Sequence, residues 1–141
     1  MTSPFLDSCY CFAVRQAARR ITSAYDAALA PTGVTSPQFG ILSLLDETPG
    51  ASLQDLALAL RADRTTVLRG VQVLEKAGLI AALPRLKAKA ELKLHLTKAG
   101  MDRLTAARPL WSGAQRQFEA DCSVEKAGHL RAALLALSPR I

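Results

Sequence analysis

The apolar residues of this chain recur with a helical period everywhere except in one short region. Leu6, Tyr10, Ala13, Ala17, Ile21, Ala24 and Ala28 follow one another at spacings of three and four, which predicts an amphipathic helix over residues 6–29. Pro31 and Gly33 end it. Ser36-Pro37 opens a second helix that carries Phe39, Ile41, Leu42, Leu44 and Leu45 nearly all round, the mark of a central, buried element. A third starts at Ser52, with Leu53, Leu56, Ala57 and Leu60 inward, and a fourth after Asp63, with Val67, Val71 and Leu74 inward. Thr97 caps a long helix over about 98–120, and Ser123 caps a last one with Leu130, Leu134 and Leu137. The exception is Leu79 to Leu83 and Leu92 to Leu96, two short strands, the second alternating its leucines with Lys93 and His95. The expected class is mainly α with a small β hairpin.

That region also holds the net charge. From Arg61 to Lys98 there are nine Lys/Arg and three acids, a surplus equal to the whole +6 of the chain. The other 103 residues balance nine basic against nine acidic side chains. A surplus confined to one helix and the hairpin after it is the electrostatic footprint of a duplex-DNA reader.

The third and fourth helices, joined by Arg61-Ala62-Asp63, form a helix-turn-helix pattern, whose second helix enters the major groove. At 100° per residue Thr65, Arg69, Gln72 and Lys76 lie opposite the apolar stripe. Arg64, Thr65, Thr66 and Arg69 stand at the end that meets base edges, where arginine bonds guanine and threonine bonds a base or covers a thymine methyl. The hairpin loop supplies Arg85, Lys87 and Lys89 for phosphate or the minor groove.

Other classes find little support. No apolar run reaches the roughly 20 residues of a membrane helix, and the N-terminus lacks the basic start of a signal peptide, so a cytoplasmic protein is expected. In that reducing compartment Cys9, Cys11 and Cys122 should be thiols. His95 and His129 stand apart, and neither metal-ligand spacing, a phosphate-binding glycine loop nor a carboxylate pair is evident. No catalytic residue, metal or cofactor is expected, and the chain does not read as an enzyme.

Three phrases fix a resemblance. Asp63-Arg-Thr-Thr-Val-Leu-Arg69, then Val73-Leu-Glu-Lys-Ala-Gly78-Leu-Ile80, then Leu96-Thr-Lys-Ala-Gly100 resemble the MarR family of winged-helix regulators. Ala18-Arg-Arg-Ile-Thr22 and Thr35-Ser-Pro-Gln38-Phe39 fit it as well. The resemblance spans essentially residues 1–141 as one domain, with a winged helix-turn-helix at 35–97 and dimerisation helices at 5–30 and 98–138. It implies a homodimer on a pseudo-palindromic operator of double-stranded DNA, usually a repressor, often released by a small aromatic acid or by oxidation. It also adds Ser36 and Gln38 to the DNA-facing residues. The chain departs from the family in the wing, where the usual Asp-x-Arg is replaced by Ala88 and Ala90, and the arginine after Gly-Leu-Ile-x by Ala82.

Two sensing modes follow. In the first, Arg15, Arg19 or Arg20 pairs with the carboxylate of an effector bound between the terminal helices and the winged helix. In the second, Cys11-Phe12-Ala13 matches the reactive Cys-Phe-Ala of the peroxide-sensing branch, with Cys9 beside it. Tyr25 then matches a tyrosine that bonds the thiol, and Arg15 supplies positive charge one turn along.

Overall fold

The computed structural model describes residues 3–85 and 87–137. Leu86 of the wing loop, and Ser138 at the end of the expected C-terminal segment, lie outside the described residues. Helix α1 (Pro4–Ser8) leads to α2 (Tyr10–Leu29), a short 3-10 turn (Ala30–Thr32), α3 (Ser36–Glu47), α4 (Leu53–Leu60) and α5 (Arg64–Lys76). Strands β1 (Ile80–Ala82) and β2 (Leu94–Leu96) follow, then α6 (Lys98–Cys122) and α7 (Val124–Leu135).

The single first helix expected from the sequence is broken at Cys9, whose backbone is extended (φ −89°, ψ 111°). The Ser8 hydroxyl bonds back to the Phe5 carbonyl at 3.2 Å, offering the chain a local alternative to a continuous helix. An edge-to-face contact between Phe5 and Phe12 spans the break. The predicted apolar stripe of this segment is mostly uncovered: only Tyr25 and Leu29 of α2 are buried, and Tyr10 is 89% exposed.

Helix α3 is the hub. It packs against α2, α4, α5, α6 and β2, which is why it is apolar nearly all round. Thr35 and Gln38 close its first turn as a capping box, and Pro37 needs no partner for its missing N–H there. Leu29, Leu42, Leu45, Leu56, Leu74, Leu94 and Leu104 form the fully buried centre of the core. The long helix α6 divides at Pro109. Its buried residues, Gly100, Leu104 and Ala107, all precede the proline and belong to this core. Just beyond it Leu110 and Trp111 still pack against the core, and the rest of α6 carries α7, of which only Ala127 is buried.

The strands pair antiparallel as Ile80 with Leu96, Ala81 with His95 and Ala82 with Leu94. They are shorter than the sequence suggests, because the ladder runs out at the Leu83 N–H to Lys93 carbonyl bond (2.7 Å) and Pro84 follows. Residues 50–52 flank the hairpin, through the Gly50 N–H to Leu94 carbonyl bond (2.8 Å) and a Ser52–Lys93 bridge.

Candidate nucleic-acid interface

The helix-turn-helix is set by caps that the sequence spells out. The Ser52 hydroxyl accepts from the Asp55 N–H (3.1 Å), and Asp55 Oδ2 accepts from the Ser52 N–H (2.8 Å). The carboxyl of Asp55 is thereby held below the ordinary aspartate range, first by the bond from the Ser52 backbone. Helix α4 ends at Arg61, in the left-handed region at φ 50°. Asp63 then starts α5, with Oδ1 accepting from the Thr66 N–H (2.9 Å) and Oδ2 from the Thr66 hydroxyl (2.6 Å).

Helix α5 buries Val67, Val71 and Leu74. Arg64, Thr65, Thr66, Arg69, Gln72 and Lys76 are all exposed, as the periodicity predicts for Thr65, Arg69, Gln72 and Lys76. They are not equivalent. The Thr66 hydroxyl is committed to Asp63, whereas Arg64, Thr65 and Arg69 make no side-chain hydrogen bond among the described residues. Leu68, 39% exposed, sits one turn from Arg64 on the flank that faces the wing.

Two glycines in the motif phrases have a geometric cause. Gly78 ends α5 at φ 75°. At Gly100 an added Cβ would lie 1.9 Å from the Leu79 carbonyl oxygen, so α6 crosses β1 at a distance only glycine allows. Thr97 joins the two: its hydroxyl donates to the Gly78 carbonyl (2.6 Å) and accepts from the Gly100 N–H (3.0 Å). The wing is thus riveted to the ends of α5 and α6.

The wing loop closes on itself. Arg85 Nη1 donates to the Ala88 carbonyl (3.2 Å) and the Ala90 N–H to the Lys87 carbonyl (2.9 Å). Arg85 therefore braces the loop where the family's Asp-x-Arg is missing. A cleft of about 470 Å³ separates wing from recognition helix, lined by Leu53, Arg64, Leu68, Arg85, Lys89 and Leu92, among others. Among the described residues the only ion pairs are Lys98–Asp102 and Arg108–Asp46. The cations of α5 and of the wing face solvent without a carboxylate partner there.

Ser36 and Gln38 lie apart from this face. Gln38 Oε1 accepts from the Thr35 N–H (3.0 Å), and the Ser36 N–H donates to Asp26 Oδ1 (2.6 Å). Ser36 also lines a cleft of about 490 Å³ between α3 and the second half of α6. There Phe39 and Trp111 stack at 5.7 Å, and Gly40, Ser43, Glu47, Arg108 and Ser112 complete the wall. Sequence reading missed Arg108 because its partner, Asp46, is 62 residues away.

The sensor candidates are scattered. Cys11, Arg15 and Arg19 are exposed and Cys9 is half-buried. Tyr25 is buried against α6, where its hydroxyl donates to Gln115 Oε1. Burial first, and the Glu119 carboxylate second, push its hydroxyl above the ordinary tyrosine value. Fourteen residues of helix put Tyr25 about 21 Å along α2 from Cys11. Within one chain the helix therefore keeps them apart. No group of metal-binding side chains occurs, and no helix is long and apolar enough to cross a membrane, among the described residues.

Known proteins share this arrangement. A MarR family profile matches residues 32–85, from the 3-10 turn after α2 into the wing. A transcriptional regulatory protein assigned to the hcr operon of Thauera aromatica is 30% identical over 118 residues, 84% of this chain and 67% of that one. The Mycobacterium tuberculosis transcriptional regulator MosR, solved in complex with DNA, superposes with a TM-score of 0.82 at 32% identity over 92% of this chain and 93% of that one. The transcriptional repressor CouR, solved bound to p-coumaroyl-CoA, shares the fold at 22% identity, with a TM-score of 0.86 over 100% of this chain and 99% of that one. With the profile lying across the helix-turn-helix and two relatives aligned over most of the chain, the protein belongs to the MarR family of winged-helix, DNA-binding transcriptional regulators.

Proposed function

We propose that this protein is a dimeric, cytoplasmic repressor that binds a pseudo-palindromic operator and leaves it when a small aromatic anion binds. The observation that carries the DNA half is the set of cations on α5 and the wing that lack a carboxylate partner among the described residues, all on the solvent side of one helix and one loop. Arg64, Thr65, Arg69 and Gln72 read bases. Lys76, Lys87 and Lys89 hold phosphates, and Arg85 holds the loop that presents them. Ser36 and Gln38, at the start of α3, stand outside this set. The winged helix-turn-helix at 35–97 binds DNA, and the segments at 5–30 and 98–138 pair two copies.

The effector half is supported by the cleft between α3 and α6, where the Phe39–Trp111 stack offers an apolar wall beside Glu47 and Arg108, and an anionic effector would take Arg108 from Asp46. CouR, of the same fold, was solved with an aromatic acyl thioester. A second reading, release by peroxide through Cys11, is favoured by the exposure of that thiol with Arg15 one turn on. In that reading Cys11→Ser abolishes release by hydroperoxide, and release that survives the substitution ends it.

Selection of bound duplexes from a random library tests the main reading. The expected product is an inverted repeat with half-sites about one helical turn apart. Arg69→Ala should weaken binding to it by roughly 1–3 kcal/mol and relax preference at one position per half-site. Failure to enrich any sequence would refute operator recognition.

A further inference from the structure

Among the described residues only two that are not glycine have positive φ, and both belong to the mounting of α7. Ser123, at φ 74° and ψ 148°, is the N-cap from which α7 folds back along α6. Arg61, at φ 50° and ψ 42°, is the turn residue between α4 and the recognition helix. Its guanidinium Nη1 donates at 3.2 Å to the carbonyl of Leu135, in the last turn of α7 and 74 residues away. Glycine would hold either backbone conformation without the steric cost a Cβ adds. Arginine at this turn is accounted for by what its side chain reaches. The Leu135 carbonyl is one of the four at a helix C-terminus without a partner in the helix, and it lies at the negative end of the helix dipole. A guanidinium matches both.

Helix α7 has little else to fix it. It packs mainly on α6 and buries only Ala127, while Leu130, Leu134, Leu135 and Leu137 are exposed. Its near end is aimed by Ser123 and its far end is tied to the helix-turn-helix turn. We propose that Arg61 is a positioning residue for DNA binding: through Leu135 it makes α7 a strut that sets where the recognition helix starts, just beyond Ala62 and Asp63. A shift of the last turn of α7, when the terminal helices rearrange, is then passed to Arg64 and Thr65 without passing through the core. This rests on the DNA-binding function, and Arg61 touches no base in it.

Arg61→Gly and Arg61→Ala in the full chain separate this role from a phosphate contact. The probe is the tightest duplex selected by the unmodified protein. Both variants should lose about ten-fold in affinity at fixed salt, the size of an ordinary coupling. The slope of log K against log[salt] should stay that of the parent. Amides of residues 132–137 should exchange with deuterium faster than in the parent. Arg61→Gly should melt no lower than the parent, since glycine suits the turn, so it remains testable if the alanine variant fails to fold. A slope reduced by about 0.9 per arginine, with exchange in α7 unchanged, would make Arg61 a phosphate contact and overturn the proposal. Unchanged affinity in Arg61→Gly would overturn it too. A parent chain that selects no duplex fails the operator reading instead.

Discussion

Asp63 shows how one side chain serves fold and function in opposite directions. The bonds from the Thr66 hydroxyl, first, and the Thr66 N–H hold its carboxyl below the ordinary aspartate range. The folded value thus lies below the unfolded one. The stabilisation is present above the unfolded value, at neutral pH, and is lost as pH falls through the depressed folded value. The same negative charge stands beside Arg64 and Thr65, which in the proposed complex meet the DNA. Asparagine caps a helix as well as aspartate but is neutral. Asp63→Asn should therefore bind duplex DNA more tightly at low salt and unfold at a lower pH, both measurable by fluorescence titration. Equal affinity would mean that the carboxylate lies outside the DNA field. At Gly100 the sign of a familiar substitution reverses. Alanine in a helix is ordinarily better than glycine by about 1 kcal/mol. Here the Cβ would meet the Leu79 carbonyl, so Gly100→Ala should cost roughly 1–3 kcal/mol in denaturant unfolding.

At the scale of elements, the wing and the recognition helix divide the work. The family's wing pair is absent, and the loop is held by Arg85 on the Ala88 carbonyl, a bond any residue at 88 can accept. Lys87 and Lys89 are then free for phosphate, which carries affinity without sequence. Lys87→Ala and Lys89→Ala should each flatten the salt dependence by about 0.9 for every phosphate no longer neutralised, and leave the selected sequence unchanged. A changed consensus would place these lysines in a groove. Helix α6 is likewise two elements in one. Its fully buried residues all lie before Pro109, where Arg103 ties it to the Thr32 carbonyl at 2.7 Å; Leu110 and Trp111 are only partly buried against the core, and the remainder carries α7. The proline removes one backbone bond at the junction.

At the scale of the whole molecule, both ends of the chain leave apolar side chains uncovered. Phe5, Tyr10, Phe12 and Val14 at one end, and Leu130, Leu134, Leu135 and Leu137 at the other, are exposed apolar side chains on helices that the winged core does not cover. Single exposed leucines are ordinary, but this many apolar side chains on the terminal helices favour a partner. In the proposed dimer these helices interlock and place two copies of α5 on successive turns of DNA. Leu134→Glu should produce monomers in sedimentation and weaken operator binding by far more than Arg69→Ala, because both half-sites are lost together. A dimer that survives Leu134→Glu with its affinity intact would locate the interface elsewhere.

Most of the helices, the caps at Ser52, Asp63, Thr97 and Ser123 and the face of α5 that meets solvent were legible in the sequence. Apolar period, an Asp or Ser before a helix and a glycine after it are local signals, and they act within a few residues of where they are read. The sequence also showed where the charge lies, and through three short phrases the family. It could not show that Thr66 is occupied by Asp63, that Gln38 is occupied by its own cap, or that the first helix breaks at Cys9. Those depend on which of several polar partners a side chain meets. Still less could it show Arg108 on Asp46, Tyr25 on Gln115 or Arg61 on Leu135, separated by 62, 90 and 74 residues. Pairings at that distance follow from how the helices cross, and helix crossings are decided by packing of the core as a whole. The tie between the turn before the recognition helix and the far end of the chain therefore belongs to the folded molecule alone.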